Sequence, residues 1–205
     1  AVLKEIEKGS SFNTSTLDLY DEQIAPLSTN IFDTRKSFLE ELIPVFNAYY
    51  RNISSNDEQV DIGYKSQLLE GDMLDLLKQN RDRDRFLQFT SLGVHKDDLL
   101  FQLNGYPIKK IGSQGQQKTF LLALKLAQFD FMKVALGYKP MLLLDDIFDK
   151  LDDKRVEQLM TLVDQHHFGQ IFITDTHSER SVQIFNKIKA DFKVFQVKSG
   201  YIEKK

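Results

Sequence analysis

From residue 140 the chain alternates short apolar runs with amphipathic stretches, and that alternation constrains its fold more than any other feature. MLLL at 141–144 is followed by Val156, Leu159, Met160 and Val163, then QIFIT at 170–174, then Val182, Phe185 and Ile188, then FKVFQV, a Ser199-Gly200 turn and YIE. Four consecutive apolar residues after Pro140 leave no polar side for water, which predicts a strand covered on both faces. Apolar residues three and four apart predict helices, the first capped by Asp152 or Asp153 and stopped at Gly169. Strand, helix, strand, helix, strand is the pattern of an α/β layer, with a largely parallel sheet and helices packed on it.

Upstream the pattern differs. Leu17, Tyr20, Ile24, Leu27 and Ile31, then Phe38, Leu42, Val45 and Tyr49, recur at helical spacing and predict a long arm. Pro26 and Pro44 each remove a backbone donor, which predicts two or three helices or a kinked pair. A further helix is expected around 67–77, after an extended segment from Val60 to Tyr64. Around Ser91 the character changes, dividing the chain into a helical subdomain at 1–90 and an α/β lobe at 91–205. LLFQL at 99–103, Asn104-Gly105 and YPIKKI predict a hairpin, because Asn-Gly suits both positive φ angles of a type I′ turn. Residues 116–136 are apolar on nearly every side apart from Lys118, Lys125 and Gln128, which predicts a buried helix. There is no internal repeat and no low-complexity tract.

Composition removes several function classes. The sequence has no cysteine, so disulfide frameworks, thiolate zinc sites and cysteine nucleophiles are excluded, and a reducing, cytoplasmic setting is expected. No apolar run approaches the ~20 residues of a membrane-spanning helix, so no membrane partner is expected. The start, AVLKEIEKGS, has neither an initiator Met nor an apolar leader core, and reads as neither a signal peptide nor a natural start. A formal net charge of −3 gives no support to whole-surface binding of nucleic acid, although Lys109, Lys110 and Lys118 could form a local basic patch.

Two segments can carry chemistry. LLLDDIFDKLDD at 142–153 puts Asp145 and Asp146 where a strand meets its loop, the edge at which open α/β sheets bind ligands. An aspartate there can hold Mg²⁺, which takes few carboxylates plus phosphate oxygens, and its neighbour can position attacking water. The alternative is that Asp146, Asp149 and Asp152 solvate a loop and cap the next helix. GSQGQQKT at 112–119 also reads two ways. It can be a phosphate cradle at a helix N-terminus, or a glycine-containing helix start without a ligand. It imitates GxxxxGK followed by Ser or Thr through Gly112, Lys118 and Thr119, but Gln117 stands where the second glycine is needed, and no other stretch matches that pattern. His95 beside Asp97 and Asp98 lacks a second histidine at ligand spacing, so a local hydrogen-bonding role is expected. His166 and His167 suit the negative end of a helix dipole.

In order along the chain, LYDEQIAPL at 19–27, LGVHKDDLLFQLNG at 92–105, SQGQQKTFLLALKLAQ at 113–128 and LLLDDIFDKLDD resemble four segments of the C-terminal half of an ABC-type ATPase head, most closely those of the bacterial RecF family. They correspond to that family's helical-domain start, its GPHRDDL segment, its signature helix, and its Walker B strand with the dimer-facing loop. The resemblance implies a P-loop-type head with a helical subdomain on the N-terminal side. It implies that Ser113, Gln114, Gly115 and Gln116 contact ATP held by the opposite subunit, and that Asp145 holds Mg²⁺. Asp146 would stand where related ATPases carry a catalytic glutamate, and Leu151 and Asp152 would face the dimer. ITDTH at 173–177 resembles the switch region, with His177 or Asp175 in the switch place. Because the Walker A loop belongs to the family's N-terminal lobe, this chain is expected to be inactive alone.

The function so implied is ATP-dependent dimerisation on DNA at gaps or single/double-strand junctions. Weak, DNA-dependent ATP hydrolysis would release the dimer, and other recombination-mediator proteins are implied as partners. Lys109, Lys110, Arg81, Arg83 and Arg85 are candidate phosphate contacts. An SMC-like head is an alternative that calls for long heptad arms, against which the proline-broken arm of about forty residues counts. A Toprim-like Mg²⁺-dependent phosphotransfer enzyme calls for a DxD pair, which the adjacent Asp145 and Asp146 do not make.

Overall fold

The computed structural model describes residues 14–54, 58–164, 168–176, 178–188 and 191–204. Contacts divide the chain into two compact units, Ala1–Pro44 with Val60–Pro107, and Val45–Gln59 with Ile108–Lys205. This differs from a division at residue 90, because the strand at 98–103 finds its ladder partner upstream of that point.

Helix α1, Thr14–Ser54, runs without a break through Pro26 and Pro44, so the expected break into two or three helices does not occur. An internal proline costs a hydrogen bond and crowds the preceding turn, and packing on both sides of each proline outweighs it. Ala25, Phe32, Leu39 and Leu42 are buried in the first unit.

In that unit, β1 (Val60–Lys65) pairs antiparallel with β2 (Asp98–Leu103), from Val60 opposite Leu103 to Lys65 opposite Asp98. Short helices α2 (Met73–Gln79) and α3 (Arg81–Leu87) lie between them in sequence. Asp72 caps α2 by accepting the amides of Leu74 and Asp75. The hairpin forms as expected, with Asn104 and Gly105 at φ of 49° and 79°. Its second strand, β3, is only Tyr106–Pro107, since Pro107 has no N–H to extend the ladder, and Ile108–Ile111 turn into a short helix, α4, instead of continuing the strand.

Polar ties complete this unit. Arg81 reaches Asp18 at 2.5 Å and Asp21 at 2.7 Å, and the two carboxylates raise its pKa. Asp97 is engaged by Arg35 at 2.7 Å and by the Tyr64 hydroxyl at 2.5 Å, while Phe32 stacks on Tyr64. Asp84, buried, accepts from the amide and hydroxyl of Ser91.

In the second unit, α5 (Gln114–Leu136) is the longest helix begun there and buries Thr119, Phe120, Leu122, Ala123, Leu126, Ala127 and Phe129. Its opposite side leaves Leu121 and Met132 in water, and Val134, one heptad beyond buried Ala127, is exposed towards the helix end, so α5 is one-sided instead of buried all round. The C-terminal turns of α1 place Phe46 and Tyr50 against Phe120, with ring centroids 4.6 Å and 6.2 Å away. Strand β4 (Leu142–Leu144) pairs parallel with β5 (Ile171–Ile173), and α6 (Asp153–Asp164) lies between them in sequence, burying Val156, Leu159, Met160 and Val163 as its spacing predicts.

Two expectations for the sheet need correction. Leu142 and Leu144 are buried, but Leu143 is 71% exposed, and its register partner Phe172 is 48% exposed, so this parallel pair is covered on one face only. The closing strands do not join it: β6 (Phe195–Lys198) pairs antiparallel with β7 (Tyr201–Lys204) through the Ser199-Gly200 turn, as a hairpin of its own. A two-residue turn makes neighbours of adjacent strands before either can reach a distant one. Helix α7 (Ser178–Ile188) is tied to α6 by Lys187 and Glu157, 2.5 Å apart. Among the described residues, no helix is long and apolar enough to cross a membrane.

Candidate functional site

The start of α5 is closed by a capping box. The Ser113 hydroxyl accepts the Gln116 amide at 3.2 Å, and the Gln116 side-chain oxygen accepts the Ser113 amide at 2.8 Å. Gln117 sends its own amide nitrogen back to the Gly112 carbonyl at 2.8 Å. Ser113 and Gln114 are exposed, whereas Gly115 and Gln116 are half-buried. The cause is a close approach: a Cβ on Gly115 would lie 2.9 Å from the Lys150 carbonyl oxygen. Only glycine lets the first turn of α5 sit so near the loop after β4.

That loop, residues 145–152, begins where β4 ends. Asp145 is exposed, and its carboxylate accepts the Thr174 hydroxyl. The same hydroxyl accepts the Asp146 amide at 3.0 Å, and the Thr174 amide donates to the Leu144 carbonyl at 3.0 Å. Thr174 thus fixes both aspartates from the end of the neighbouring strand, a role its sequence gives no sign of until the two strands are known to pair. The loop then turns through left-handed backbone at Asp146, φ 48°, and Lys150, φ 65°. Ile147 and Phe148 anchor it in the core.

Lys118 bears on the P-loop reading of GSQGQQKT. Its ammonium donates to the carbonyls of Asp146 at 2.5 Å and Asp149 at 2.8 Å. A lysine committed to two loop carbonyls is not lying over the amides of a phosphate cradle, so the P-loop imitation has no structural counterpart.

Leu151 and Asp152 part company. Leu151 is 5% exposed, so its side chain serves the core of this unit and does not face outward as expected. Asp152 is exposed and caps α6, accepting the Arg155 amide at 2.9 Å. His177, His166 and His167 lie outside the described residues. His95 has a ring nitrogen 3.3 Å from the Thr90 carbonyl, the local role expected of it. Among the described residues, no group of three or more His, Cys, Asp or Glu could hold a metal ion by itself. A lone Asp145 suits Mg²⁺ that is shared with phosphate oxygens, because that ion keeps most of its shell for water and phosphate.

Behind the site is a half-buried polar network that sequence reasoning missed. Glu58 accepts the Tyr50 hydroxyl at 2.6 Å, the Gln116 side-chain nitrogen at 3.0 Å and the Arg155 guanidinium at 2.8 Å. Burial pushes the Glu58 carboxyl up, but the bonds from Tyr50 and Gln116 and the charge of Arg155 outweigh it, and its pKa is lowered. Burial and the bond to Glu58 raise that of Tyr50. A carboxyl with a depressed folded pKa contributes stability above its unfolded value that is lost as pH falls through the folded one. The stability gap between the parent chain and Glu58→Gln, measured by urea unfolding, should therefore be full above pH ~5 and close at more acidic pH. A gap that persists unchanged to pH ~2 would assign it to lost packing instead.

No protein-family model matches the chain. It is 49% identical over 197 residues to the DNA replication and repair protein RecF of Flavobacterium johnsoniae, covering 96% of this chain and 55% of that protein. It is 50% identical over 184 residues to the protein of the same name from Bacteroides thetaiotaomicron, covering 90% of this chain and 50% of that one. The chain spans about half the length of the curated relatives it matches. Among solved structures, the recombination mediator protein RecF with ATP, of the RecFOR pathway, matches with a TM-score of 0.75 and 25% identity, over 99% of this chain and 53% of that chain. An SMC head bound to the C-winged helix domain of ScpA matches with a TM-score of 0.54 and 15% identity, over 91% of this chain and 48% of the other, a likeness of fold alone. The fold is part of an ABC-type ATPase head, and sequence identity favours the RecF branch over the SMC one.

Proposed function

Taking this chain as a RecF homologue that corresponds to the C-terminal half of those proteins, we propose that it supplies the signature side of a shared nucleotide site in a DNA repair ATPase. The observation that carries the proposal is the seating of Ser113, Gln114, Gly115 and Gln116 against the loop that begins with Asp145, with Gly115 and Lys118 as the points of contact. The exposed helix start presents a positive dipole end to an anion, and the neighbouring carboxylate can take a share of Mg²⁺. In this reading ATP is held by a second subunit, and the exposed residues Ser113 and Gln114 meet its phosphates.

Asp145 would hold Mg²⁺, which neutralises phosphate charge when bound. Asp146, held at its amide by Thr174, would orient the attacking water, with His177 or Asp175 in the switch position. Asp152 would face the partner subunit. ATP binding would close a homodimer on DNA at single/double-strand junctions and hydrolysis would open it, with other recombination-mediator proteins as partners. The exposed apolar pair Leu143 and Phe172 supports the reading, since parallel sheets are ordinarily covered on both faces and the relatives are about twice as long.

Calorimetric titration of the chain with Mg-ATP should show no measurable binding. Lys118→Ala should lower the unfolding midpoint, because two loop carbonyls lose a charged donor, and should leave the titration flat. Tight one-to-one binding abolished by that substitution would reinstate a phosphate cradle. Joining the chain to the N-terminal half of the Flavobacterium johnsoniae relative should give ATP-dependent dimers in light scattering, and monomers at every ATP concentration would sink the proposal.

A further inference from the structure

Three segments distant in sequence meet at two charged side chains of the second unit. Glu58, just past α1, holds Gln116 of the α5 capping box through one carboxylate oxygen, which also receives Arg155 of α6. Tyr50 donates to the other oxygen. Arg155 uses its second terminal nitrogen on the Thr119 hydroxyl at 2.9 Å, and Thr119 in turn donates to the Gly115 carbonyl at 2.8 Å. The Arg155 Nε lies 3.3 Å from Asp152 at the end of the loop. Both side chains are largely shielded, with the Arg155 side chain 13% exposed and that of Glu58 18%. Thr119 is fully buried.

A guanidinium is a planar fork, so engaging three partners fixes the direction of each relative to the others. Moving Asp152 turns Arg155, and turning Arg155 disturbs both Thr119, bonded to the Gly115 carbonyl, and Glu58, bonded to Gln116. Separating either charge from its partner in a shielded site is costly, so the arrangement resists partial opening.

We propose that Glu58 and Arg155 are positioning residues that mechanically couple the start of α5, residues 113–116, to the loop at 145–152. In the reading given above, they would make contact at the dimer-facing end of the loop felt at the segment that meets ATP. The coupling itself is a property of this chain and needs neither ATP nor a second subunit.

The test is amide hydrogen exchange on the whole chain. Arg155→Lys keeps the charge but loses the fork, and should speed exchange at the Gln116 and Gln117 amides, on another helix, by about tenfold, the size of a contact-level coupling. Glu58→Gln should reciprocally speed exchange at the Arg155 and Val156 amides by a similar factor. A merely local structural role would change only the segment carrying the substitution, and that outcome would overturn the proposal. If either variant fails to fold, Tyr50→Phe removes a single donor to Glu58, and the same remote amides decide the matter. The joined protein distinguishes the two ideas. ATP-dependent dimers in the parent with an unchanged dimer constant in both variants would deny the coupling any part in assembly. No dimers in the parent, with remote exchange effects present, would leave the coupling standing and remove the ATP reading.

Discussion

Truncating Phe120 to alanine is expected to cost about 3–5 kcal/mol of unfolding free energy, a large share of the ~5–15 kcal/mol that holds a domain together. Phe120 is 4% exposed and packs against Phe46 and Tyr50, both completely buried. Removing the ring leaves a cavity bounded by aromatic side chains on another helix, which cannot collapse around a methyl group without shifting that helix. Phe86, 86% exposed on α3, is the control. Phe86→Ala should change stability by no more than about 0.5 kcal/mol. Urea unfolding followed by far-UV circular dichroism reads both, and equal losses would show that the aromatic cluster does not hold the second unit together. The same substitution has a functional reading. Phe120 lies within two turns of Ser113, so a chain that survives the loss should also show faster exchange at the α5 capping box.

What was legible in the sequence was legible for local reasons. Asn104-Gly105 encodes its turn through two φ preferences, and the stripe on α6 and the order of strands and helices after residue 140 follow from spacing alone. The capping signal at Asp152 is equally local. The four ordered segments carried the family likeness because each is a continuous string. The failures share a cause as well. Whether Pro26 and Pro44 break a helix depends on what packs beside them, and whether Leu143 is covered depends on what lies across the sheet. Periodicity reports which residues are apolar and is silent about which of them find a partner. Leu151 shows the same limit, since its position in the loop was right but its side chain turns inward.

The network at Glu58 was out of reach for a different reason. Glu58 and Arg155 are 97 positions apart. Neither stands in a motif, and a single acidic residue after Ser-Ser-Asn-Asp looks like solvated loop. Lys118 was visible but misleading, because its register with a P-loop suggested phosphate, whereas its ammonium spans to loop carbonyls 28 and 31 positions away. Thr174 likewise gained its role only when β5 paired with β4 and brought its hydroxyl to Asp145. Long-range polar contacts need the fold first.

Gly115→Ala should lose more than its helix propensity returns. Alanine in place of glycine favours a helix by up to about 1 kcal/mol, and less in a first turn. Against that, the new methyl would sit 2.9 Å from the Lys150 carbonyl oxygen, inside contact distance. The obstacle is backbone, so it cannot swing aside as a side-chain tip would. It also belongs to a residue already in the left-handed region, at φ 65°, where a non-glycine residue has little room to adjust. Overpacking of this kind costs about 1–3 kcal/mol, so the net change should be destabilising by about 1–2 kcal/mol. Gln114→Ala, one residue earlier and exposed, tests for a general sensitivity of the helix start and should be near neutral. In the joined protein the larger consequence is expected at the dimer. Displacing the loop from α5 disturbs Asp145, Asp146 and residues 113–116 together, and ATP-dependent association should weaken at least about tenfold. Stability equal to or above the parent would mean that the loop gives way freely and that the close approach does not constrain the site. A destabilised chain whose joined form still dimerises normally would confine Gly115 to packing and separate it from the shared nucleotide.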